Sequence, residues 1–403
     1  MVKIDKYRQR STGWKRKLPL RLRSATEVHW SGSKHDPFEN PRLHAVISVL
    51  PIIPNIRLLS LWYANVNEEQ QAIIFGLSTL RTLVADSCYF HPWTNPILRS
   101  HVTSLKLVRG ATETTRSLLT MFATTIEDLD VDAYPTRYIH DGGLIKLPKL
   151  STITFTRDHS ALAWGQIILN TLKRYTSITT LHILCFFTLF DVSFHHSDLP
   201  ALRSLTCCHW LALYLIPERP VTTYVEVWSD SEEEPWRLLD ILSKAHPGVA
   251  NLKLFAPKNI CSLLPSLAAA LQHLEQLTIM LWHPEKVYRL PDHLSGKPLH
   301  NPPGAGTVML PKLKRMTIWV DGRENTGFSL AEWLLKECFI PVSPVLEEFE
   351  CLYCVSSIIA YRLPEPRRAW NLRRLPDGSW ERQGPPPIPI PIPTPASTLG
   401  VAP

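Results

Sequence analysis

The 403-residue chain lacks the motifs on which most recognisable enzyme chemistry rests. No Gly-x-Gly-x-x-Gly, no Gly-x-x-x-x-Gly-Lys-Ser/Thr and no Gly-x-Ser-x-Gly occurs. That excludes the usual dinucleotide cradle, the phosphate loop and the strained serine elbow. No run reaches the ~18 apolar residues that a membrane-spanning helix needs. The strongest candidate, residues 181–190, is interrupted by His182 and Thr188 and reads as a buried strand running into a turn. No apolar core follows the basic N-terminus, as a secretory leader would require, and there is no Asn-x-Ser/Thr acceptor. The 8 cysteines are scattered. Cys351-x-x-Cys354 has no second ligand pair at a matching spacing, so a zinc site is not expected there. His195-His196 and Cys207-Cys208-His209 are close in sequence, but Cys207, like Cys351, occupies an inward strand position where cysteine acts as a small hydrophobe. Glu127, Asp128, Asp130 and Asp132 sit in and beside an alternating strand pattern rather than an acid–base arrangement. The expectation is a protein that is not an enzyme, holds no metal or cofactor, and works in a reducing compartment, cytoplasmic or nuclear.

What the chain does have is a short phrase, apolar-x-x-apolar-x-apolar, recurring along most of its length. Ile56/Leu59/Leu61, Leu80/Leu83/Ala85, Val102/Leu105/Leu107, Ile126/Leu129/Val131 and Leu150/Ile153/Phe155 are successive copies. Ile178/Leu181/Ile183, Leu202/Leu205/Cys207, Val249/Leu252/Leu254, Leu274/Leu277/Ile279, Leu313/Met316/Ile318 and Leu346/Phe349/Cys351 continue the series. Weaker copies stand around Val28/Trp30 and Val225/Val227. Measured between middle apolar residues, nine of the twelve intervals fall within the period of about 20–29 residues typical of leucine-rich repeats. The three long intervals lie toward the ends, where capping units depart from the norm. The spacing therefore predicts an α/β leucine-rich-repeat solenoid, a horseshoe with parallel strands on its concave face and helices or irregular returns on its convex face.

The physics of one unit agrees. Side chains alternate along a strand, so the fourth and sixth positions of each phrase share one face, which is turned inward. The returns at 161–175, 236–246, 260–273 and 328–339 carry apolar residues at helical spacing. Leu147-Pro148-Lys149-Leu150, Leu199-Pro200-Ala201-Leu202 and Leu310-Pro311-Lys312-Leu313 mark helix-to-strand junctions, because proline disfavours helix in the residue before it. One such unit cannot bury its apolar face alone, and stacked neighbours share a continuous core.

Composition divides the chain into three parts. Residues 1–24 form a basic arm with nine Lys or Arg against the single acid Asp5, so the arm supplies the formal net charge of +7. A basic arm of this kind fits nuclear import, anionic surfaces or nucleic acid, which makes a nucleic-acid-associated protein the alternative functional reading. Residues 25–360 form the solenoid. Its stretch 283–310, rich in Pro, Gly and His, is expected as a surface loop. Its acidic run 229–234 contains Ser229 and Ser231 with acids downstream, as acidophilic kinases prefer, and both serines are candidate phosphorylation sites. Residues 361–403 form a proline-rich, disordered tail, with 385–395 (PPPIPIPIPTP) suited to polyproline II.

The functional face is expected where residues alternate with the core positions and point outward from the strands. Trp62, Trp228, Phe255 and Trp319 fall there, as large aromatics suited to anchoring a protein partner. Asp130 and Asp132, with Glu127, form an expected acidic patch, and Lys253, Lys314 and Arg315 lie farther along. That separation of charge would orient a partner.

The phrases LSTITF, ITTLHI, LRSLTC, LEQLTI and LKRMTI, with the Leu-Pro-x-Leu junctions and irregular spacing, resemble the leucine-rich-repeat part of fungal F-box proteins. The resemblance covers roughly residues 25–360. It implies a ribonuclease-inhibitor-like repeat domain that recruits a substrate protein to a cullin ubiquitin ligase, and a cullin-ligase adaptor as a further partner. Residues 1–24 are basic and too short for an F-box, so no F-box residues are carried over. With no apolar run of spanning length, no membrane partner is expected.

Overall fold

The computed structural model describes residues 2–5, 25–32, 41–92, 100–109, 112–132, 145–156, 168, 172–184, 194–195, 197–226, 235–245, 248–256, 267–281, 310–321, 335, 343–354 and 368–383. These residues form an α/β structure around one open, mostly parallel sheet of 16 strands. The strands are β1 (Val2–Asp5), β2 (Glu27–Ser31), β3 (Leu58–Trp62), β5 (Thr82–Asp86), β7 (Ser104–Val108), β8 (Asp128–Asp132), β9 (Thr152–Thr156) and β10 (Thr180–Ile183). The sheet continues through β11 (Ser204–Cys207), β12 (Thr223–Glu226), β13 (Asn251–Ala256), β14 (Gln276–Leu281), β15 (Arg315–Asp321), β16 (Glu348–Cys354), β17 (Arg368–Arg374) and β18 (Trp380–Gln383). Every strand lies beside its successor in this order. All pairings are parallel up to β16, and the last two are antiparallel. A second, two-stranded sheet joins β4 (Asn65–Val66) to β6 (Tyr89–Phe90).

The pairing register places the middle apolar residues of the phrases side by side. Val28, Leu59, Leu83, Leu105, Leu129 and Ile153 are successive partners. Leu181, Leu205, Tyr224, Leu252, Leu277, Met316 and Phe349 follow in the same row. All are buried. The weak copy around Val225 is displaced by one residue from its expected frame. Tyr224 takes the inward place and Val225 the outward one, and the Tyr224 hydroxyl donates to the Cys207 carbonyl at 3.3 Å. An aromatic hydroxyl that finds a buried acceptor sits in the core without a desolvation penalty, so tyrosine displaces the less bulky valine.

Register is fixed where each strand starts. The Thr26 carbonyl accepts from the amides of both Arg57 and Leu58, and the Arg57 carbonyl accepts from Arg81 and Thr82. The same double acceptance passes through Arg81, Thr103, Glu127, Ser151, Thr179, Arg203, Thr222, Ala250 and Glu275 to Lys314, which accepts from Glu347 and Glu348. Just before these points the chain turns. Leu150 donates its amide to Leu147, Leu202 to Leu199 and Leu313 to Leu310, at 3.2, 3.1 and 3.4 Å. These are the three Leu-Pro-x-Leu junctions, with proline at the turn position where its fixed φ fits. Both leucines of each pair are buried.

The returns pack on one side of the sheet. Among the described residues stand helices α1 (Pro41–Val49), α2 (Glu68–Phe75), α3 (Thr112–Phe122), α4 (His209–Leu215) and α5 (Pro235–Ser243). Among the expected helices, α5 coincides with 236–246, and helical turns occur at Ile168, Leu172 and 267–270. Helix α2 starts at an Asn67 capping box in which Asn67 and Gln70 exchange backbone-to-side-chain hydrogen bonds of 2.9 and 3.0 Å. Each half of such a box satisfies an amide that the helix leaves unpaired. Helix residues such as Val46, Phe75, Leu118, Phe122 and Leu242 join the inward strand residues in one continuous core. Full burial of each such side chain is worth about 1.5–3 kcal/mol.

Both expected tails contribute strands. Val2–Asp5 of the basic arm pairs with β2. The disordered tail expected from 361 onward is corrected over 368–383, where β17 and β18 form a hairpin on the sheet. Its turn is Pro376-Asp377-Gly378, with Gly378 at φ 85° and the Asp377 carboxylate accepting from the Ser379 amide at 2.8 Å. This is strong turn chemistry. Residues 229–234, 283–309 and 385–395 lie outside the described residues.

A single buried arginine ties one return together. Arg219, 2% exposed, donates to the carbonyls of Asp198, His195, Tyr214 and Pro217 at 2.8–3.2 Å. Burial pulls its pKa down. Arg219→Ala should lower unfolding stability by about 3 kcal/mol, because it strands several carbonyls, and Arg219→Lys should restore little of this, since lysine lacks the planar fork. Urea denaturation of both variants measures the effect.

Cys88 is also built into the fold. Its Sγ donates to the Leu61 carbonyl at 3.1 Å, and burial pushes its pKa up to about 12. A thiol held protonated is inert. Mass spectrometry after treatment with a thiol reagent should find Cys88 unlabelled in the native protein and labelled in denaturant.

Candidate functional site: the outer face of the sheet

The face opposite the core is lined by residues that alternate with the inward positions. Its central row runs, in register, through His29, Ser60, Val84, Lys106, Asp130, Thr154 and His182. It continues through Thr206, Val225, Lys253, Thr278, Thr317, Glu350 and Asn371. None of these side chains belongs to the core cluster.

Trp62 points outward, as expected, and is 39% exposed. Its Nε1 donates to the Ser60 hydroxyl at 2.9 Å. The polar handle of the ring is thereby satisfied and the ring is held in one orientation. Tyr63, next in the chain, has φ 51°, and so do its counterparts after the next two strands, Ser87 at 53° and Arg109 at 51°. The left-handed turn points each amide at the neighbouring strand. Tyr63 donates to the Asp86 carbonyl at 2.9 Å and Ser87 to the Val108 carbonyl at 2.8 Å. At Arg109 the acceptor changes to the Asp132 carboxylate, at 2.6 Å. Gly32 donates to the Trp62 carbonyl, and a Cβ there would lie 2.2 Å from the Tyr63 carbonyl oxygen. Only glycine permits that approach.

Asp132 therefore corrects the expected exposed acidic patch. It is 3% exposed and serves the backbone of Arg109. Asp130 stays on the face, half-buried, in an ion pair with Lys106 and a 3.3 Å hydrogen bond from the Thr156 hydroxyl. Glu127 lies at the start of β8, before the alternating positions, and its carbonyl anchors the next strand. Asp128 takes its place on the outer face, accepting from the Ser104 hydroxyl at 2.9 Å.

The cluster of Asp86, Arg109 and Tyr63 was not foreseen. Arg109 meets Asp86 through two nitrogens, at 2.9 and 2.7 Å, and its guanidinium lies 5.7 Å from the centre of the Tyr63 ring. The hydrogen bond with Asp86 raises the Arg109 pKa. These residues stand 23 and 46 positions apart, and only the shared register links them.

Trp319 is half-buried on the same face, with the Lys253 ammonium 4.3 Å from its ring centre. A cation this close to an indole is held by the ring quadrupole. Phe255, Met280, Trp319 and Leu352 are register neighbours. Met280 and Leu352 are buried yet lie outside the main core. The backbone of Phe255 is described and its side chain is not. Trp228, Ser229 and Ser231 lie outside the described residues. The site residues that the structure describes thus fall into two zones of one face, Trp62 with Asp130 and Asp132 toward its N-terminal half and Trp319 toward its C-terminal half.

The chain matches no protein-family model and no curated protein. Among the described residues, no three His, Cys, Asp or Glu side chains are grouped to hold a metal ion. Among them also, no helix is long and apolar enough to cross a membrane.

His182 sits mid-face with its Nδ1 2.8 Å from the Thr206 hydroxyl. Burial depresses its pKa below the ordinary 6.5, against the opposing pull of Asp128 and Asp130. The folded state thus binds this proton less readily than the unfolded chain, so stability must fall as pH drops through and below about 6.5. Thermal melts of wild type and His182→Gln across that range should converge as pH falls, and NMR should find His182 titrating below free histidine.

Proposed function

We propose that this chain is a leucine-rich-repeat solenoid that binds a protein partner on the strand-lined face. The observation that carries the reading is the uninterrupted outer face, on which Trp62 is exposed and Trp319 half-buried while the core and helices occupy the other side. Large aromatics held rigid on a surface are the preferred anchors of protein interfaces. The linear strand order, in which each strand adds beside its predecessor, is compatible with a solenoid. The run Leu80-x-x-Leu83-x-Ala85-x-x-Cys88-x-Phe90 supports the repeat assignment. It follows the eleven-position leucine-rich pattern, including cysteine at the ninth place, and Cys88 there donates to the Leu61 carbonyl of the preceding strand. In this reading the strands line the concave side.

The resemblance to fungal F-box proteins supports a finer assignment. The repeats would serve as the substrate-recognition part of an F-box type ubiquitin-ligase receptor, in the cytoplasm or nucleus. The test is affinity purification of the full-length protein from its native cells, beside the Trp62→Ala/Trp319→Ala double variant. The expected outcome is a specific protein captured by wild type and lost from the variant, with circular dichroism unchanged. Undiminished capture by the folded variant would sink the face assignment. Co-purification of a cullin-ligase adaptor would support the receptor role, and capture without that adaptor would leave a stand-alone scaffold.

A further inference from the structure

We infer that the N-terminal half of this face, from β2 to β8, accepts an extended, arginine-bearing basic segment of the partner protein. The inference rests on the proposed role of the face in partner binding and specifies the chemistry of what it binds.

The first argument is charge. Glu27, Asp86, Asp128 and Asp130 occupy outward register positions on β2, β5 and β8, three of the five adjacent strands from β2 to β8. With strands ~4.8 Å apart, these carboxylates fall within about 20 Å. Among the described residues on these strands, Lys106 and Arg109 oppose them, and each is already engaged, by Asp130 and by Asp86. The half-face is therefore net negative, although the whole chain is net positive at +7. The C-terminal half of the same face carries Lys253, Arg315 and Arg373 against Asp321, Glu348, Glu350 and Glu381, with Arg315 and Glu348 paired at 2.9 Å. The larger excess of acids over bases thus lies on the N-terminal half, where a polyanion such as nucleic acid is repelled and a cationic segment is drawn in.

The second argument is the aromatic surface beside those acids. Trp62 stands in register with Asp86, and its ring is exposed while its Nε1 is already satisfied. What it offers a partner is a π face, which a guanidinium favours over an anion. The chain itself shows the fit, since Arg109 rests against the Tyr63 ring while both carboxylate oxygens of Asp86 receive its nitrogens. A partner arginine over Trp62 would meet the same kind of ring contact on the neighbouring residue of the chain. An extended segment is the shape that lies along such a flat, strand-lined surface with alternate side chains reaching it.

Fluorescence anisotropy with full-length protein and two short labelled peptides tests this. One peptide alternates arginine with serine and the other glutamate with serine. The arginine peptide should bind and the glutamate peptide should not, with affinity falling as salt rises. Glu27→Lys/Asp128→Lys should weaken arginine-peptide binding by about tenfold or more, and Trp62→Ala should weaken it as well. Glu348→Lys, on the other half of the face, should leave it unchanged. Glu27→Lys alone, at a half-buried position at the start of β2, guards against a double variant that fails to fold. Tighter binding of the glutamate peptide, or binding indifferent to both Glu27 variants, would overturn the inference. A large gain in peptide affinity on deleting residues 6–24 would assign the face to the chain's own basic segment and overturn it too. Cellular partner capture that needs Trp62 but tolerates Glu27→Lys/Asp128→Lys would refute this inference while leaving the proposed function standing. Capture indifferent to Trp62 and Trp319 would refute the proposed function itself.

Discussion

One backbone interaction governs the rest of this molecule. At each strand start a single carbonyl accepts two consecutive amides from the start of the next strand, from Thr26 through to Lys314. A parallel pair offers many registers of similar hydrogen-bond energy, and a slip of one residue would turn every side chain to the opposite face. The doubly accepting carbonyl removes that freedom before the strand begins. Leu59, Leu83 and Leu105 then fall in line in the core, and Ser60, Val84 and Lys106 fall in line outside it. The core and the candidate binding face are two consequences of the same constraint.

The far ends of the strands are managed differently. Tyr63, Ser87 and Arg109 adopt the left-handed conformation at equivalent places, each turning its amide back to the neighbouring strand. Non-glycine residues pay for such a conformation in strain, and here a backbone hydrogen bond at each step offsets it. At Arg109 the carboxylate of Asp132 replaces a carbonyl as the acceptor. That substitution draws Asp132 out of solvent and leaves Arg109 positioned to meet Asp86 and Tyr63. A local backbone requirement thus shapes the electrostatics of the outer face.

The face that results is not uniform. Its N-terminal part combines carboxylates with Trp62 and Tyr63, its middle is rich in hydroxyls around His182, and its C-terminal part carries Lys253 against Trp319 beside Met280 and Leu352. A partner reading all three zones would be held in one direction along the sheet, because the three differ in chemistry from one end to the other. The hairpin of β17 and β18 covers the last parallel strand, whose open edge would otherwise invite pairing with other chains.

Much of this architecture was legible in the order of residues. The interval between phrases and the alternation within them located the strands of the large sheet from β2 to β16 and, but for Tyr224, their buried row, because burial on one face leaves a period of two that sequence records directly. The Leu-Pro-x-Leu junctions were readable for the same reason, since proline acts locally. Where local chemistry was ambiguous, packing decided. Tyr224 outcompeted Val225 for the core through a hydroxyl whose acceptor, Cys207, belongs to another strand. Asp132 looked like a surface acid until the turn at Arg109 enlisted it, and Glu127 looked like its companion until the strand began one residue later. The Pro376-Asp377-Gly378 turn lay in plain sight, masked by the proline-rich composition around it. Sequence alone determined the strand phrases, their period and the inward face, all set by interactions within a few residues. Tertiary structure alone decided which outward side chains meet, since Tyr63, Asp86 and Arg109 become neighbours only through the register that successive carbonyls impose.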